Sequence, residues 1–217
     1  MIQAVVFDFD GVLADSEPLH LQAYQEVLSA LGVTLSRDEY YARYLGFADE
    51  AVFGMVAETY GWHVTPARIT SLMDEKTRIF DALLADADVL YPGAAECVER
   101  LGRDFPLGIA SGALRHEILA ILERYRLSAQ FQFIVAAGDT PASKPAPDPY
   151  RRAAALHGVL PDACIAIEDS RWGIESAKAA GLSCIGITNT YPASELDAAD
   201  DVISSLSEFT RELIRRF

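Results

Sequence analysis

The feature that most constrains the fold is an alternation of short apolar runs with helical segments. Apolar, β-rich runs recur at 4–7, 107–110, 133–136, 164–167, 183–187 and 201–203. After the first run, helical patterns separate them at 94–103, 116–125, 150–157 and 173–180. Nearly continuous apolar strands that alternate with helices indicate a parallel sheet covered on both faces. We therefore predict an α/β fold, and such sheets carry their ligand sites at the carboxyl ends of the strands.

One long interval between the first and second runs breaks this alternation. It shows only amphipathic helix patterns, at 19–31, 38–45, 50–60 and 66–85. Gly32 is a plausible stop for the first of them, and Tyr91-Pro92-Gly93 marks the return to the alternating pattern. We predict a helical domain over 15–91, inserted into a core domain made of 1–14 plus 92–217. A bundle of this size can bury its own apolar faces.

Composition and charge exclude several classes of partner. Hydrophobic residues make up 51% of the 217, which supports a packed interior. The formal net charge is −14, so a polyanion such as DNA would be repelled, and the sequence has no local basic stripe. No stretch approaches the roughly 18 apolar residues of a membrane span. We expect no nucleic-acid or membrane partner, and a monomer, because no long heptad or large apolar stripe demands a second chain.

The three cysteines carry little functional signal. Cys164 and Cys184 lie in apolar runs that resemble buried strands, and Cys97 lies in a helical pattern. An odd number without metal or redox spacing favours reduced, structural thiols. The sequence thus predicts a cytoplasmic protein.

Two acids follow the first strand directly. Asp8 and Asp10 stand two residues apart, so on an extended chain their side chains point to one side. Like charges held that close repel, and therefore the pair needs a cation or one acid must stay protonated. Both outcomes suit phosphoryl transfer, since one carboxylate can act as nucleophile while its neighbour protonates a leaving oxygen. Taken alone, the same pattern is also compatible with a solvated turn.

Other strand ends supply the remaining chemistry. Glu168 and Asp169 add two acids directly after a buried run, and oxygen ligands from two strand ends are a common way to hold Mg²⁺. The run at 107–110 leads into Ser111 and Gly112, a hydroxyl and a glycine that lets backbone N–H groups approach an anion. Lys144 lies in a proline-stiffened loop, where its ammonium could balance phosphate charge.

With these four groups of residues, the sequence resembles the haloacid dehalogenase superfamily over essentially the whole chain. In chain order, the family's four motifs match Asp8 and Asp10, Ser111, Lys144, and Glu168 with Asp169. The segments 8–17 (DFDGVLADSE), 144–149 (KPAPDP) and 168–170 (EDS) are typical of the subgroup that contains phosphoglycolate phosphatases and β-phosphoglucomutases. The resemblance implies a Rossmann-like core with an inserted α-helical cap domain that closes over the active site.

The resemblance also implies catalytic and phosphate-binding roles. Asp8 would attack phosphorus, and Asp10 would protonate the departing alkoxide and then deprotonate the hydrolytic water. Ser111, the N–H of Gly112 and Lys144 would hold the transferring phosphoryl group.

By the same resemblance, Mg²⁺ would be the cofactor. Its ligands would be the Asp8 carboxylate, the main-chain carbonyl of Asp10 and Asp169, with Glu168 either nearby or ligating. Metal and lysine together would supply the positioning and charge neutralisation on which phosphoryl transfer depends.

Three functions are compatible with this reading. We predict a Mg²⁺-dependent phosphatase that hydrolyses a small phosphorylated metabolite, a sugar phosphate or a phosphoglycolate-like monoester, through an aspartyl-phosphate on Asp8. The alternatives are a β-phosphoglucomutase-like phosphomutase and a non-catalytic binding protein on the same fold. Dehalogenases of the superfamily lack an acid where Asp10 stands, because halide needs no proton to leave, so Asp10 favours phosphate esters.

Five residues of the predicted cap are candidates for substrate contact. His20 and Lys76 match positions that β-phosphoglucomutase uses to couple closure to the acid–base aspartate, although a helix-packing histidine and a solvated lysine are also ordinary. Where the mutase carries a phosphate-binding arginine, this chain has Asp49, which would repel a second phosphate group. Gly46, Phe47 and Asp49 are therefore candidate specificity residues, and a monophosphate substrate is favoured.

Overall fold

The computed structural model describes residues 1–45, 47 and 49–217, and the chain divides into two compact units. The core unit comprises Met1–Asp15 and Val89–Phe217, and the helical unit comprises Ser16–Asp88. The boundaries expected from the sequence, 14/15 and 91/92, lie one and three residues from this division.

The secondary structure of the described residues alternates as the apolar runs indicate. The strands are β1 Ala4–Phe7, β2 Leu107–Ala110, β3 Phe131–Val135, β4 Cys164–Glu168, β5 Ser183–Ile187 and β6 Asp201–Ile203. The α-helices are α1 Glu17–Ser29, α2 Arg37–Arg43, α3 Asp49–Thr59, α4 Pro66–Asp86, α5 Ala94–Leu101, α6 Arg115–Arg124, α7 Asp148–His157, α8 Arg171–Ala180 and α9 Arg211–Ile214.

All six strands of the core unit form one parallel sheet. Its order is β3-β2-β1-β4-β5-β6. From β1, the chain first adds β2 and β3 on one side of the sheet and then adds β4, β5 and β6 on the other, so the order of the strands reverses next to β1. The predicted α/β class with a Rossmann-like parallel sheet is confirmed. In such a sheet the crevice at the point of reversal, outside the carboxyl ends of the strands, is where ligands bind.

The strand register brings the predicted motifs to one edge of the sheet. Phe7, the last residue of β1, pairs with Ile109 of β2 on one side and with Ile167 of β4 on the other. The N–H of Asp8 continues the ladder by donating to the carbonyl of Ile167 at 3.0 Å. The segments that follow β1, β2 and β4 therefore leave the sheet side by side.

The interior of the core unit is built from the residues that the apolar runs supply. One of its clusters contains the buried residues Ala4, Val6, Ala110, Val135, Tyr150, Ala153, Ala154, Cys164, Ala166, Ile174, Ala177, Ala180, Leu182, Cys184 and Leu196. The three cysteines are free and buried. Burial of this apolar surface is the main source of stability for the sheet that carries the motifs.

Two elements of the core unit differ from the sequence-based expectation. Strand β3 starts two residues earlier than predicted, because the exposed Gln132 interrupts its apolar run. Helix α9 was not predicted, since its four residues are too few to show a helical period.

The helical unit has its own apolar interior. Its cluster contains the buried residues Leu21, Tyr24, Val27, Leu28, Val33, Leu35, Tyr40, Tyr44, Val52, Phe53, Val56 and Leu72. Helices α2 and α4 start at side-chain caps, where the Ser36 and Thr65 hydroxyls accept from the N–H groups of Glu39 and Arg68. Helix α1 packs chiefly on α4. Among the described residues, no helix combines the length and apolar character needed to cross a membrane.

Candidate active site

Three carboxylates meet at the carboxyl ends of β1 and β4. Asp8 follows β1 directly, Glu168 is the last residue of β4, and Asp169 comes next. All three are buried, and each offers an oxygen that lies within 4.8 Å of those of the others. The structure therefore brings together side chains that are 160 residues apart in the chain, as the rule for parallel sheets predicts.

Lys144 is the cation of this cluster. Its Nζ lies 2.8 Å from Oδ1 of Asp8 and 2.5 Å from Oε1 of Glu168. Burial acts to lower the pKa of Lys144, but the charges of Asp8 and Glu168 outweigh burial and raise the pKa above its usual value. The lysine is thus held as an ammonium ion beside the candidate nucleophile.

Glu168 is fully buried and its carboxylate is surrounded by donors. Its Oε1 accepts from Lys144 and also from the Tyr150 hydroxyl, at 2.6 Å. Its Oε2 accepts from the Ser170 hydroxyl at 3.3 Å. Burial first, and then the charge of Asp8, raise the pKa of Glu168 to about 7, against the opposing effect of Lys144.

Asp169 lies close to Gly11, the residue that follows Asp10. Gly11 has a φ of +77°, and a Cβ built on it would lie 1.9 Å from Oδ2 of Asp169 and 2.8 Å from Oγ1 of Thr190. Only glycine fits there, both for its backbone conformation and for its lack of a side chain. Burial, and then the charges of Asp8 and Glu168, raise the pKa of Asp169 well above its usual value, while a hydrogen bond from Thr190 opposes this shift.

Asn189 and Thr190, in the loop after β5, also belong to this site, and they were not predicted from the sequence. Thr190 bonds the Asp169 carboxyl, and the Asn189 side-chain amide donates to the carbonyl of Gly11 at 2.8 Å. The signal that could have found them is similar to the one used for the other motifs: they come two and three residues after Ile187, the end of a buried strand. Because β5 lies beside β4, its end reaches the same edge.

The donor chemistry of this cluster fits a divalent cation. Lys144 contacts Asp8 and Glu168, while burial and the charges of neighbouring acids raise the pKa values of Glu168 and Asp169. A divalent cation would therefore offset negative charge that is costly to bury. Carboxylate oxygens are the ligands that Mg²⁺ prefers.

The other predicted core residues lie on the loops that leave the same edge. Asp10 is half-buried, and its backbone forms an isolated β-bridge with Ala14. Ser111 is buried, and its hydroxyl accepts from the N–H of Ala113 at 3.1 Å. Gly112 is exposed, and a Cβ placed on it would have no neighbour within 4 Å, which leaves space for a ligand beside its backbone.

In the helical unit, three of the predicted cap residues form one cluster. Lys76 is 1% exposed, and its Nζ donates to Oδ1 of Asp49 at 3.0 Å and to Nδ1 of His20 at 2.8 Å. The ammonium also lies 5.2 Å from the ring centre of Tyr24 and 5.3 Å from that of Phe80. Lys76 is therefore a buried structural ion and not a solvated charge on the helix surface.

His20 is neutral in this cluster. Burial, and then the charge of Lys76, lower the pKa of His20 to about 3. An ammonium can only donate, so Nδ1 of the ring must accept and the ring proton resides on Nε2. The ring also stacks on Phe80 with centroids 4.2 Å apart.

The Asp49 carboxylate, like the Lys76 ammonium, has more than one partner. Besides the ion pair, it accepts from the Tyr24 hydroxyl at 2.6 Å. The negative charge of Asp49 is thus paired within its own unit, which weakens the repulsion that it would exert on a second phosphate group. Phe47 is 55% exposed, whereas Gly46 lies outside the described residues.

Comparison with known proteins assigns the family. The model of the haloacid dehalogenase-like hydrolases matches residues 5–187, which include all four motifs. The chain belongs to this family. Both the predicted family and the predicted enzyme class, a phosphoric monoester hydrolase of the haloacid dehalogenase type, are confirmed at this level.

Relatives of this hydrolase cover nearly its whole length. Hexitol phosphatase B of Escherichia coli is 33% identical over 96% of this chain and 95% of its own. The β-phosphoglucomutase of Bacillus subtilis is 30% identical over 98% and 94%. The crystal structure of a CbbY mutant from Rhodobacter sphaeroides, in complex with xylulose-(1,5)bisphosphate, has a TM-score of 0.83 and 29% identity over 96% of both chains. The similar proteins thus include a hexitol phosphatase, a β-phosphoglucomutase and a protein that binds a sugar bisphosphate.

Proposed function

We propose that this hydrolase removes the phosphoryl group from a small phosphorylated metabolite, a sugar phosphate or a similar monoester, through an aspartyl-phosphate on Asp8. The observation that carries the proposal is the contact of Asp8 with Lys144 inside a buried group of acids at the ends of β1 and β4. The ammonium fixed at 2.8 Å holds the Asp8 carboxylate in place and balances its charge, which supports a role for an Asp8 oxygen as the nucleophile that attacks phosphorus.

In the first half-reaction, an Asp8 oxygen forms a bond to phosphorus while the bond from phosphorus to the ester oxygen breaks. Asp10 gives its proton to the departing alkoxide. In the second half-reaction, Asp10 takes a proton from water, the water oxygen attacks phosphorus, and the bond to Asp8 breaks. Asp10 follows Asp8 by two residues and is only half-buried, which supports a role in exchanging protons with substrate and water.

Binding of the phosphoryl oxygens is assigned to Lys144, the Ser111 hydroxyl and the N–H of Gly112. Lys144 is charged and fixed by two carboxylates, and the backbone at Gly112 is open. Groups held in this way before the reaction starts would stabilise the charge that develops in the transition state without reorganisation.

Asp8, Asp169 and the main-chain carbonyl of Asp10 are the proposed ligands of Mg²⁺, which would offset the negative charge of the phosphoryl group and of the buried acids. Glu168 lies within reach of the same position but already accepts from Lys144 and Tyr150. Thr190 bonds Asp169 and would orient it toward the ion, as outer partners of metal ligands do.

A monophosphate with a polar, uncharged leaving group is the proposed substrate. Lys76 is buried and its ammonium is paired with Asp49, so this ammonium is not available to bind a second phosphate. Phosphorylated hexitols fit this description, and one relative is a hexitol phosphatase.

The test is the release of inorganic phosphate from a panel of phosphorylated compounds with Mg²⁺ and with EDTA. The panel pairs monophosphates, including hexitol phosphates, sugar phosphates and phosphoglycolate, with bisphosphates such as xylulose 1,5-bisphosphate. We expect metal-dependent turnover of one or more monophosphates. No turnover of any compound would refute the hydrolase proposal, and a clear preference for bisphosphates would refute the substrate class.

A phosphomutase is the second candidate, favoured by the similarity to the B. subtilis β-phosphoglucomutase. The same panel separates the two activities. A mutase converts a hexose 1-phosphate to the 6-phosphate without releasing inorganic phosphate, whereas a phosphatase releases it in equal amount to the alcohol formed.

A further inference from the structure

Tyr150 is a buried residue of the core unit that the proposed chemistry does not use. It lies in the first turn of α7, six residues after Lys144, and its side chain is fully buried. Its hydroxyl donates to Oε1 of Glu168 at 2.6 Å, the same oxygen that Lys144 contacts at 2.5 Å. Lysine and tyrosine thus converge on one carboxylate oxygen.

The remaining contacts of Glu168 keep its carboxylate in place. A Cβ built on Gly173 of α8 would lie 1.9–2.0 Å from the atoms of this carboxylate, so the carboxylate occupies the space that a side chain at 173 would fill. Ser170, the N-cap of α8, donates to Oε2 and accepts from the N–H of Gly173. The carboxylate is therefore confined between the start of α8 and the start of α7.

The ring of Tyr150 contributes a second contact to the same lysine. Nζ of Lys144 lies 5.1 Å from the ring centre, within the range of a cation–π interaction. Burial, and then the charge of Glu168, raise the pKa of Tyr150 well above its usual value, so its hydroxyl remains a donor at any working pH. The ammonium of Lys144 thus has three fixed neighbours: Asp8, Glu168 and the Tyr150 ring.

We propose that Tyr150 is a positioning residue: its hydroxyl holds the Glu168 carboxylate so that Glu168 fixes the Lys144 ammonium against Asp8 and the incoming phosphoryl group. This assignment rests on the proposed function, because it deepens the role of Lys144. It also divides the two adjacent acids, with Glu168 serving the lysine and Asp169 serving the metal.

Tyr150→Phe tests the proposal, because it removes the hydroxyl and keeps the ring over Lys144. The binding of inorganic phosphate in the presence of Mg²⁺, measured by calorimetry, should weaken by about 3- to 10-fold, the size of a typical net contribution of one hydrogen bond. The Kd of Mg²⁺ alone should stay within about threefold of the wild-type value, since the hydroxyl touches neither Asp8 nor Asp169 in the contacts described. kcat should fall in parallel with phosphate affinity.

Two further variants identify the route of the effect. Glu168→Gln keeps the shape of the side chain and removes its charge, and it should weaken phosphate binding while leaving the Mg²⁺ Kd within about threefold. Combined with Tyr150→Phe, it should add little, because both changes act on the same contact. Tyr125→Phe is the control: it removes a hydroxyl that accepts from the N–H of Val89, and phosphate binding should not change.

The outcomes separate this inference from the proposed function. Wild-type protein that binds neither Mg²⁺ nor phosphate, or an Asp169→Asn variant that binds Mg²⁺ as well as wild type, would overturn the proposed function itself. Normal binding by the wild type together with normal phosphate affinity in Tyr150→Phe would overturn only the role of Tyr150. So would an equal loss of Mg²⁺ and phosphate affinity, or strict additivity in the double variant. If Tyr150→Phe does not fold, Glu168→Gln tests the contact through which Tyr150 acts, by the same affinities for phosphate and Mg²⁺. Normal phosphate affinity in Glu168→Gln would overturn the role of Tyr150.

Discussion

The ammonium of Lys76 lies 3.0 Å from the carboxylate of Asp49, and both groups belong to the interior of the helical unit. The lysine side chain is 1% exposed and the aspartate side chain 15%. A buried pair is costly to break, because removing one partner leaves the other charge without compensation. The pair joins α4 to α3, and its contact with His20 extends it to α1.

Lys76→Met should therefore destabilise the helical unit by roughly 3–5 kcal/mol, and Asp49→Asn should be less harmful in that background than in the wild type. Trp62, which packs against the core of this unit, reports its unfolding in urea once Trp172 is replaced by Phe. Arg43→Met removes the exposed pair with Glu39 and should cost less than about 1 kcal/mol. Equal effects of Lys76→Met and Arg43→Met would show that the buried pair has no special weight.

Acid should destabilise the helical unit through His20. The pKa of this histidine is about 3 in the folded chain and 6.5 when it is exposed, so between these values the unfolded chain binds a proton that the folded chain does not. Stability is unaffected above about pH 7 and falls as the pH drops through this window, by roughly 2 kcal/mol at pH 5.

The measurement is urea unfolding of the helical unit at pH 7.5 and pH 5 in wild type and in His20→Asn. Asparagine keeps an acceptor for Lys76 but does not titrate, so the variant should lose much less stability between the two pH values. His116→Asn, at an exposed position in the core unit, should behave as wild type. The same pH dependence in His20→Asn and in wild type would refute this account.

Asp8→Asn should abolish turnover, because an amide is a poor nucleophile and a weak metal ligand. We expect a loss of more than about 10⁴-fold in kcat with an unchanged melting temperature or a higher one, since the change also relieves repulsion among buried acids. Asp197→Asn makes the same chemical change on an exposed residue and should leave activity intact. Retained activity in Asp8→Asn would exclude an aspartyl-phosphate at this position.

Asp10→Ala should slow the hydrolysis of alkyl phosphates by about 10²–10⁴-fold, the usual effect of losing a general acid–base group. The loss in the first half-reaction should be smaller for an aryl phosphate, whose leaving group needs little protonation. Single-turnover kinetics with both kinds of ester measure this difference. The same rate for alkyl esters in the variant and in wild type would show that Asp10 is not the acid.

Much of the core site could be predicted because three of its four motifs lie at or directly after apolar runs that indicate strands. Asp8, Ser111 and Glu168 come at or directly after strand ends, and parallel strands bring those ends to one edge. The loop of Lys144 was recognised by its composition, but the contact with Glu168 spans 24 residues and depends on how that loop folds. No periodic pattern carries such information.

Other relationships depend on three-dimensional neighbours that local sequence does not reveal. Thr190 and Asn189 reach Asp169 and Gly11 because β5 lies beside β4, and strand order is a property of the whole sheet. Lys76 follows two acids and so has the appearance of a surface residue, yet it is buried against Asp49, 27 residues away. A charged side chain inside a helical bundle becomes intelligible only once its partners are known.

Gly11 offers a test of how closely the loop after β1 must approach Asp169. Gly11→Ala places a methyl group 1.9 Å from Oδ2 of Asp169 at a φ of +77°, so both the backbone and the carboxylate must shift. Gly138→Ala is the matched control, since its φ is +83° and nothing lies within 4 Å of the added carbon. It should cost only the backbone strain, about 1–2 kcal/mol of stability, with Mg²⁺ affinity preserved. Gly11→Ala should in addition weaken Mg²⁺ binding by about tenfold or more, measured by calorimetry without substrate, because it displaces Asp169, a proposed ligand of the ion, in a rigid site. The same Mg²⁺ affinity in both variants would mean that Asp169 does not need its present position to bind the ion.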